Sequence, residues 1–217
     1  MEQLNQIAGV IALSMGAAWA SGINLYAAIL VLGILSATGN ILLPPNLVIL
    51  THPLVMGAAG VMYLVEFFAD KVPGIDSAWD GIHTFIRIPA GALLAAGAVG
   101  EVNPVLALAA AILGGGLAAA SHAAKAGSRV MINTSPEPVT NWLASIGEDV
   151  GVVLGLWTAL NHPWIFILLL CAFILFLVWA LPRLWKGIKK IFSAVGRLFK
   201  TGKPPTANSS TPETPRF

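Results

Sequence analysis

The sequence predicts an all-α fold, a polytopic transmembrane helical bundle of six to seven spans. Of its 217 residues, 57% are hydrophobic and 10% are charged, and the mean hydropathy is +0.81, well outside the profile of a soluble domain. Apolar stretches that approach the roughly 20 residues of a membrane-spanning helix recur along the chain. The net charge of +2 is too small to indicate nucleic-acid binding, and a single cysteine, Cys171, excludes a disulfide framework and a zinc-thiolate site.

Six apolar stretches are candidate spans. They are residues 23–37, 53–69, 85–100, 104–124, 139–160 and 163–181, of which the first and third extend toward the N-terminus through less apolar residues. Residues 7–20 form a shorter stretch that could span, re-enter or lie on the membrane. With the first candidate it makes one apolar block, 7–37, which as a continuous helix would be about 46 Å long. The block must therefore kink, fold back or protrude, and the polar residues within 21–24 interrupt it.

Three junctions share one pattern, in which a polar residue precedes a proline that opens an apolar run. They are Thr51-His52-Pro53, Val102-Asn103-Pro104 and Asn161-His162-Pro163. Such a pair is a helix start signal. Since each junction follows another apolar run, the chain predicts three helical hairpins as parallel repeats about an axis along the membrane normal.

The basic residues indicate which way the hairpins point. All twelve Lys and Arg lie at or between the hairpin bases, and the tips, 38–52, 101–103 and 161–162, carry none. Four of them are Lys71, Arg87, Lys125 and Arg129, and the others lie from Arg183 onward. Because cytoplasmic loops accumulate Lys and Arg, we predict a multi-pass protein with the hairpin tips outside and the C-terminus in the cytoplasm.

Two further segments are predicted after a transmembrane domain of residues 1–183. Residues 184–200 keep apolar residues at helical spacing with Lys and Arg between them. We expect this helix to lie flat on the inner leaflet, where each basic residue gains about 1 kcal/mol from anionic lipid. A target for a partner helix is the alternative. Residues 201–217 are rich in Pro, Ser and Thr without an apolar pattern, which predicts a disordered tail.

Small residues form two runs within the predicted spans, Ala90-Gly91-Ala92 and Gly114-Gly115-Gly116. Such faces let helices approach closely, so we expect tight helix packing there. A glycine-lined pore is the alternative.

Four ionisable residues fall inside predicted spans, where a charge is costly and needs a partner in the bundle interior. They are Glu66, Arg87, Glu148 and Asp149. One interpretation is a structural ion pair between Glu66 and Arg87 that locks two hairpins together. The other starts from the excess of three carboxylates over one Arg, which leaves negative charge or a bound proton in a low-dielectric place. Because adjacent helical residues diverge by about 100°, Glu148 and Asp149 need not share a face.

The connection between the second and third apolar runs is the most polar part of the first half. Asp76, Asp80 and His83 lie at i, i+4 and i+7 on one helical face, and Asp70 can reach the same vestibule. Carboxylates with an imidazole can hold Mg²⁺, Mn²⁺ or Zn²⁺, which makes these three residues candidate metal ligands. We favour a capped interfacial helix, with Asp76 or Ser77 as its N-cap. We therefore expect no cofactor.

Two motifs resemble a known family. Residues 20–27 read ASGINLYA, the His52-Pro53 entry follows, and residues 66–92 read EFFADKVPGIDSAWDGIHTFIRIPAGA. They resemble a bacterial integral membrane protein family known as domain of unknown function 4126, over about residues 7–182. The resemblance implies a multi-span inner-membrane protein, and it implies no activity, ligand or catalytic residue.

Three functions compete on these observations. The first is a small transporter or channel for a cation or proton, with a polar pathway formed by Asn24, Tyr26, Glu66, Asp70, His83, Arg87, Glu148 and Asp149. The second is a non-catalytic assembly or accessory subunit, whose internal charges specify packing. The third is a metal-dependent membrane enzyme on lipid-like substrates, but the sequence lacks paired nucleophile and base motifs, so we expect no enzyme. The lipid bilayer is the expected partner, nucleic acid is not, and a homo-oligomer is compatible with each function.

Overall fold

The computed structural model describes residues 1–72, 74–100, 103–134 and 138–200, and these residues form helices joined by short connections. The elements in chain order are α1 (Glu2–Ala37), a 3₁₀ helix (Pro45–Thr51), α2 (Pro53–Ala69), α3 (Ile75–Val99), α4 (Pro104–Ile132), α5 (Pro138–Asn161) and α6 (Pro163–Lys200). No strand occurs within the described ranges. The all-α prediction is confirmed.

Five helices in the described part of the chain are long and apolar enough to cross a membrane, namely α1, α3, α4, α5 and α6. The 3₁₀ helix and α2 meet this condition only as a pair, and the two are bent by 65° relative to each other. With 17 residues, α2 is about 26 Å long, slightly less than the hydrocarbon core. The range of six to seven spans therefore stays a prediction.

Local capping explains where the second helix begins in the first two hairpins. The Nδ1 atom of His52 accepts a hydrogen bond from Leu54 N at 3.2 Å, and Asn103 Oδ1 accepts from Val105 N at 2.8 Å. Each cap precedes a proline, whose missing N–H would have no partner in the first turn anyway. The proline-marked helix starts at Pro53, Pro104 and Pro163 are confirmed. Symmetry between the three hairpins stays a prediction.

Helix α1 is the central element and packs against all five of the other α-helices. It begins at Glu2, so residues 7–20 belong to the same helix as the first candidate span. Inside it, Asn24 has φ −146° and ψ 97°, which breaks the helix where the polar interruption predicted a kink. The Oδ1 atom of Asn24 accepts from Ala27 N at 2.9 Å and so caps the second half of α1.

Small residues bring α1, α3 and α4 close together. A Cβ added at Gly114 of α4 would meet Ala95 of α3 and would lie 3.1 Å from the carbonyl oxygen of Gly91. A Cβ added at Gly22 of α1 would meet Ser121 and the backbone of α4. The expectation of tight packing is confirmed, because these glycines leave no room for a side chain.

The expected surface helix, 184–200, is the last part of α6, and its position on the inner leaflet stays a prediction. Helix α6 continues through Pro182 to Lys200, and a Cβ added at Gly127 of α4 would lie 3.4 Å from Leu184 and 3.7 Å from Ile188. Leu184 and Ile188 thus pack against α4 at Gly127. The predicted disordered tail, 201–217, lies outside the described residues.

Candidate functional site

Eight titratable side chains meet where α1, α2, α3, α4 and α5 converge, and we call them the charge cluster. They are Glu66 of α2, Asp70 just after it, Asp80 and Arg87 of α3, His122, Lys125 and Arg129 of α4, and Glu148 of α5. Seven of them are buried, and the side chain of Glu148 is 17% exposed.

Arg87 connects α3 to α2 and α4. Its Nη2 atom donates to Glu66 Oε1 at 2.6 Å, and its Nη1 atom donates to Asp80 Oδ1 at 3.0 Å. The Nδ1 atom of His122 lies 3.1 Å from Nη1. The ion pair expected between Glu66 and Arg87 is confirmed, and Asp80 is a second carboxylate on the same guanidinium.

Lys125 lies at the centre of the charge cluster, inside a cage of oxygen atoms. Its Nζ atom lies 2.9 Å from Asp70 Oδ2, 3.2 Å from Glu66 Oε1, 3.4 Å from Glu148 Oε2 and 3.8 Å from Asp80 Oδ1. It also donates to the backbone oxygen of Ile23 at 3.1 Å. That carbonyl is left over at the break in α1, because the N–H group of Ala27 bonds to Asn24 instead.

Arg129 ties α4 to α5 and to the end of α2. Its Nη2 atom donates to Glu148 Oε2 at 2.7 Å and its Nε atom to Glu148 Oε1 at 3.2 Å, which is a bidentate pair. Its Nη1 atom donates to the backbone oxygens of Asp70 and Asn141 at 3.0 and 3.1 Å. The guanidinium thus fixes three elements around one side of the charge cluster.

The charge cluster contains one more carboxylate than cation. Its four carboxylates are Glu66, Asp70, Asp80 and Glu148, and its three fixed cations are Arg87, Lys125 and Arg129. Within the described residues, one carboxylate oxygen each of Glu66, Asp70 and Asp80 is buried without a hydrogen-bond partner. An excess negative charge and unpaired oxygens in a buried place are costly unless a proton, water or cation joins them.

Glu66, Arg87 and Glu148 meet in one group as expected, whereas Asp149 lies outside it. Lys125 and Arg129, expected at the cytoplasmic side between spans, are buried in α4. Since Arg87 is buried as well, the orientation of the protein rests mainly on the basic residues from Arg183 onward. The available signal was spacing, because His122, Lys125 and Arg129 lie on one face of an otherwise apolar helix.

Asp149 lies apart from Glu148 and has partners of its own. Its Oδ1 atom accepts from Asn24 Nδ2 at 2.9 Å, and its Oδ2 atom accepts from Tyr63 Oη at 3.1 Å. The two adjacent carboxylates therefore serve different groups, as the helical angle between them allows. Asp149 faces the second half of α1, which Asn24 caps.

The candidate metal ligands do not come together. Asp76 accepts from Asn133 Nδ2 at 2.8 Å, Asp80 pairs with Arg87, and the Nε2 atom of His83 lies 3.0 Å from Tyr26 Oη. Among the residues that the structure describes, no group of three or more His, Cys, Asp and Glu side chains could hold a metal ion. The expected N-cap at Asp76 or Ser77 is wrong, because the N-cap of α3 is Gly74, which has no side chain to cap this end. Asp76 lies in the first turn instead, where its Oδ1 atom accepts from Gly74 N at 2.9 Å.

Lys71 lies in the connection between α2 and α3. Its Nζ atom lies 2.9 Å from the centre of the Phe67 ring and donates to the Phe67 carbonyl at 3.0 Å. Burial lowers the pKa of this ammonium, while the charges of Asp149 and Asp70 oppose that shift. Lys71 is therefore also part of the packed structure and not a free loop charge.

An open groove between α4 and α6 reaches the charge cluster from the surface of the bundle. Its volume is about 440 Å³, and Lys125 and Glu148 line it together with apolar residues of α6. Both belong to the charge cluster, and Glu148 is the more accessible of the two, with 17% of its side chain exposed against 2% for Lys125.

The apolar helices and the buried charges that join them are those of an integral membrane protein of the helical type. A model of the family described as Domain of unknown function (DUF4126) matches residues 11–183. The chain belongs to this family. Comparison with the curated proteins and with the solved structures gives no match.

Proposed function

We propose that this protein is a small transporter or channel for protons or a small cation, and that the charge cluster is its ion site. The observation that carries the proposal is the break in α1, whose two new helix ends each meet an opposite charge. Lys125 donates to Ile23 O at the end of the first half, and Asp149 accepts from Asn24 at the start of the second.

Broken helices are suited to binding ions because their ends carry partial charges, about −0.5 at the C-terminal end and +0.5 at the N-terminal end. Membrane transporters use such ends to hold substrates and coupling ions. Here an ammonium group occupies the cage of oxygens beside the break, where a free cation would otherwise be held. A cation or proton that enters the cage competes with Lys125 for the same carboxylates.

The imbalance of the charge cluster supports exchange of a proton or cation. One carboxylate remains uncompensated when Arg87, Lys125 and Arg129 are each paired. A bound proton neutralises the excess at small steric cost, and the groove connects Glu148 to the surface. Glu148 is therefore the entry point in this proposal, and Glu66, Asp70 and Asp80 form its inner part.

We place the protein in the inner membrane with six or seven spans and a cytoplasmic C-terminus. The basic residues that support this orientation lie on α6, where Arg183, Lys186, Lys189 and Lys190 follow the apolar span. In this orientation Arg183 lies at the cytoplasmic end of the groove, and the groove opens toward the cytoplasmic leaflet.

The test is flux through purified protein in liposomes that contain a pH-sensitive dye. The wild type should dissipate a pH gradient or exchange protons for a small monovalent cation. Glu148→Gln keeps the size of the side chain and removes its titration, so it should abolish the flux. Asp149→Asn shows whether the second carboxylate at the break is also required. Glu2→Gln, at the exposed start of α1, is the matched control and should behave as wild type.

A second candidate is a non-catalytic assembly or accessory subunit, and one observation favours it. The members of the charge cluster bond to one another across four helices, which is also what a purely structural network does. Both candidates are roles without catalysis. Flux that is absent for every tested cation, in folded and oriented protein, or that is unchanged in both Glu148→Gln and Asp149→Asn, would overturn the transport proposal.

A further inference from the structure

The groove between α4 and α6 has the shape and composition of a site for an acyl chain. Its outer wall is formed by α6, where Phe173, Phe176 and Trp179 provide aromatic surface. Ala124 of α4 and Ala180 of α6 are small and leave the space between the helices open. A volume of about 440 Å³ is within the range of sites that hold small molecules.

The surroundings of the groove decide what can fill it. Phe176 and Trp179 are exposed at the surface of the longest apolar helix, with 52% and 55% of each residue accessible. At that depth in a bilayer the neighbouring molecules are lipids, and burying apolar surface against an acyl chain is favourable. The aromatic wall of the groove is therefore exposed to lipid, and charged residues line the groove at the charge cluster and at Arg183.

Positive charge is concentrated at one end of the groove. Arg183 lines it and stacks on Trp179, with the guanidinium carbon 4.0 Å from the ring centre. One of its N–H groups bonds to the Trp179 carbonyl at 2.7 Å, and a guanidinium has four further N–H donors. Lys186, Lys189 and Lys190 follow within two turns and are exposed.

No acidic residue of the nearby chain neutralises these cations. Between residues 150 and 212 the sequence contains no Asp or Glu. Within the described ranges, the salt bridges join members of the charge cluster, and Arg183 is in none of them. The end of the groove is thus complementary to a negative group at the membrane surface.

We propose that the groove binds one anionic phospholipid of the cytoplasmic leaflet. One acyl chain lies between α4 and α6 against Phe173 and Phe176, and the phosphate lies at Arg183 and the lysines that follow. The proposed ion transport uses the same groove to reach Glu148, but this inference rests on the apolar residues of α4 and α6 and on the charges of α6.

The test uses bromine on the acyl chain of the lipid as a contact quencher of tryptophan fluorescence. The protein is placed in nanodiscs of phosphatidylcholine with a small fraction of either brominated phosphatidylglycerol or brominated phosphatidylcholine. The brominated phosphatidylglycerol should quench the fluorescence at a lower fraction than the brominated phosphatidylcholine. Trp179→Phe should remove this selective component, since Trp179 lines the groove. Trp164→Phe, at the exposed start of the same helix, is the matched control and should retain it.

Two further variants separate the phosphate from the acyl chain. Arg183→Gln should reduce the preference for phosphatidylglycerol about fivefold, the factor that corresponds to about 1 kcal/mol for one basic residue. Ala180→Leu should fill the groove and abolish the selective quenching, with helicity checked by circular dichroism. Equal quenching by both brominated lipids, or a selective component that persists in Trp179→Phe or Ala180→Leu, would overturn the proposal.

Discussion

The Glu66–Arg87 pair provides a quantitative test of the charge cluster. Arg87 is fully buried and is the closest cation to both Glu66, at 2.6 Å, and Asp80, at 3.0 Å. Arg87→Leu leaves four carboxylates against two cations. Breaking a buried pair by removing one partner costs about 3 to 5 kcal/mol, because the other charge stays buried without compensation. We expect this loss in the free energy of unfolding.

Adding Glu66→Leu to Arg87→Leu removes one of the two carboxylates that lost Arg87. The charge cluster then again has one more carboxylate than cation, as in the wild type. The double variant should therefore be more stable than the sum of the two single losses predicts, by about 2 to 3 kcal/mol. The recovery is incomplete, because Glu66 also holds Lys125 at 3.2 Å and Asp80 still lacks Arg87.

The measurement is unfolding of the purified protein in mixed micelles by a denaturing detergent, followed by circular dichroism. Glu2→Leu and Lys186→Leu form the control pair, since both residues are exposed and they have the same types of charge. Their effects should add within about 0.5 kcal/mol. If Glu66→Leu and Arg87→Leu also add within that margin, the pair is not coupled and the account of the charge cluster is wrong.

Two further predictions concern packing and orientation. Gly114→Ala should lower the midpoint of thermal unfolding because its Cβ meets Ala95, whereas Gly116→Ala, with open space at that position, should raise it or leave it unchanged since alanine favours helix by up to about 1 kcal/mol. A lower midpoint for Gly116→Ala than for Gly114→Ala would contradict the packing of α3 on α4. In a Cys171→Ala background, cysteines at the exposed positions Asn46 and Asn161 should react with an impermeant thiol reagent outside intact cells, whereas one at Thr134 should react only after permeabilisation. Reaction of the Thr134 cysteine in intact cells would refute the proposed topology.

Features set by neighbouring residues could be predicted from the sequence. The helix starts at Pro53 and Pro104 depend on caps one or two residues away, and the break in α1 depends on a polar interruption at Asn24. Each of these signals lies within a few residues of its effect. Residues 184–188 show the limit, because their amphipathic pattern predicts an apolar partner surface but does not identify α4 at Gly127 as that surface.

The partners of the buried charges could not be predicted in the same way. Lys125 bonds to Glu66, which is 59 residues away, and to Asp70, which is 55 residues away. In those contacts the long side chain of Lys125 reaches from α4 to the end of α2, and no local pattern encodes this arrangement. The pair of Glu66 and Arg87 was easier to find because both residues stand out in apolar runs.

The break in α1 and the charge cluster depend on each other through Lys125. A helix break at membrane depth leaves backbone groups unsatisfied, and each such group costs several kcal/mol when nothing bonds to it. The Ile23 carbonyl is such a group, and Lys125 satisfies it from another helix at 3.1 Å. Replacing Lys125 with an uncharged residue therefore has two costs. The Ile23 carbonyl loses its hydrogen-bond donor, and four carboxylates remain with only two cations. Replacing Arg129 also leaves two cations, but the Ile23 carbonyl stays bonded to Lys125. Lys125 is for this reason the residue through which a change in the charge of the cluster reaches the backbone of α1.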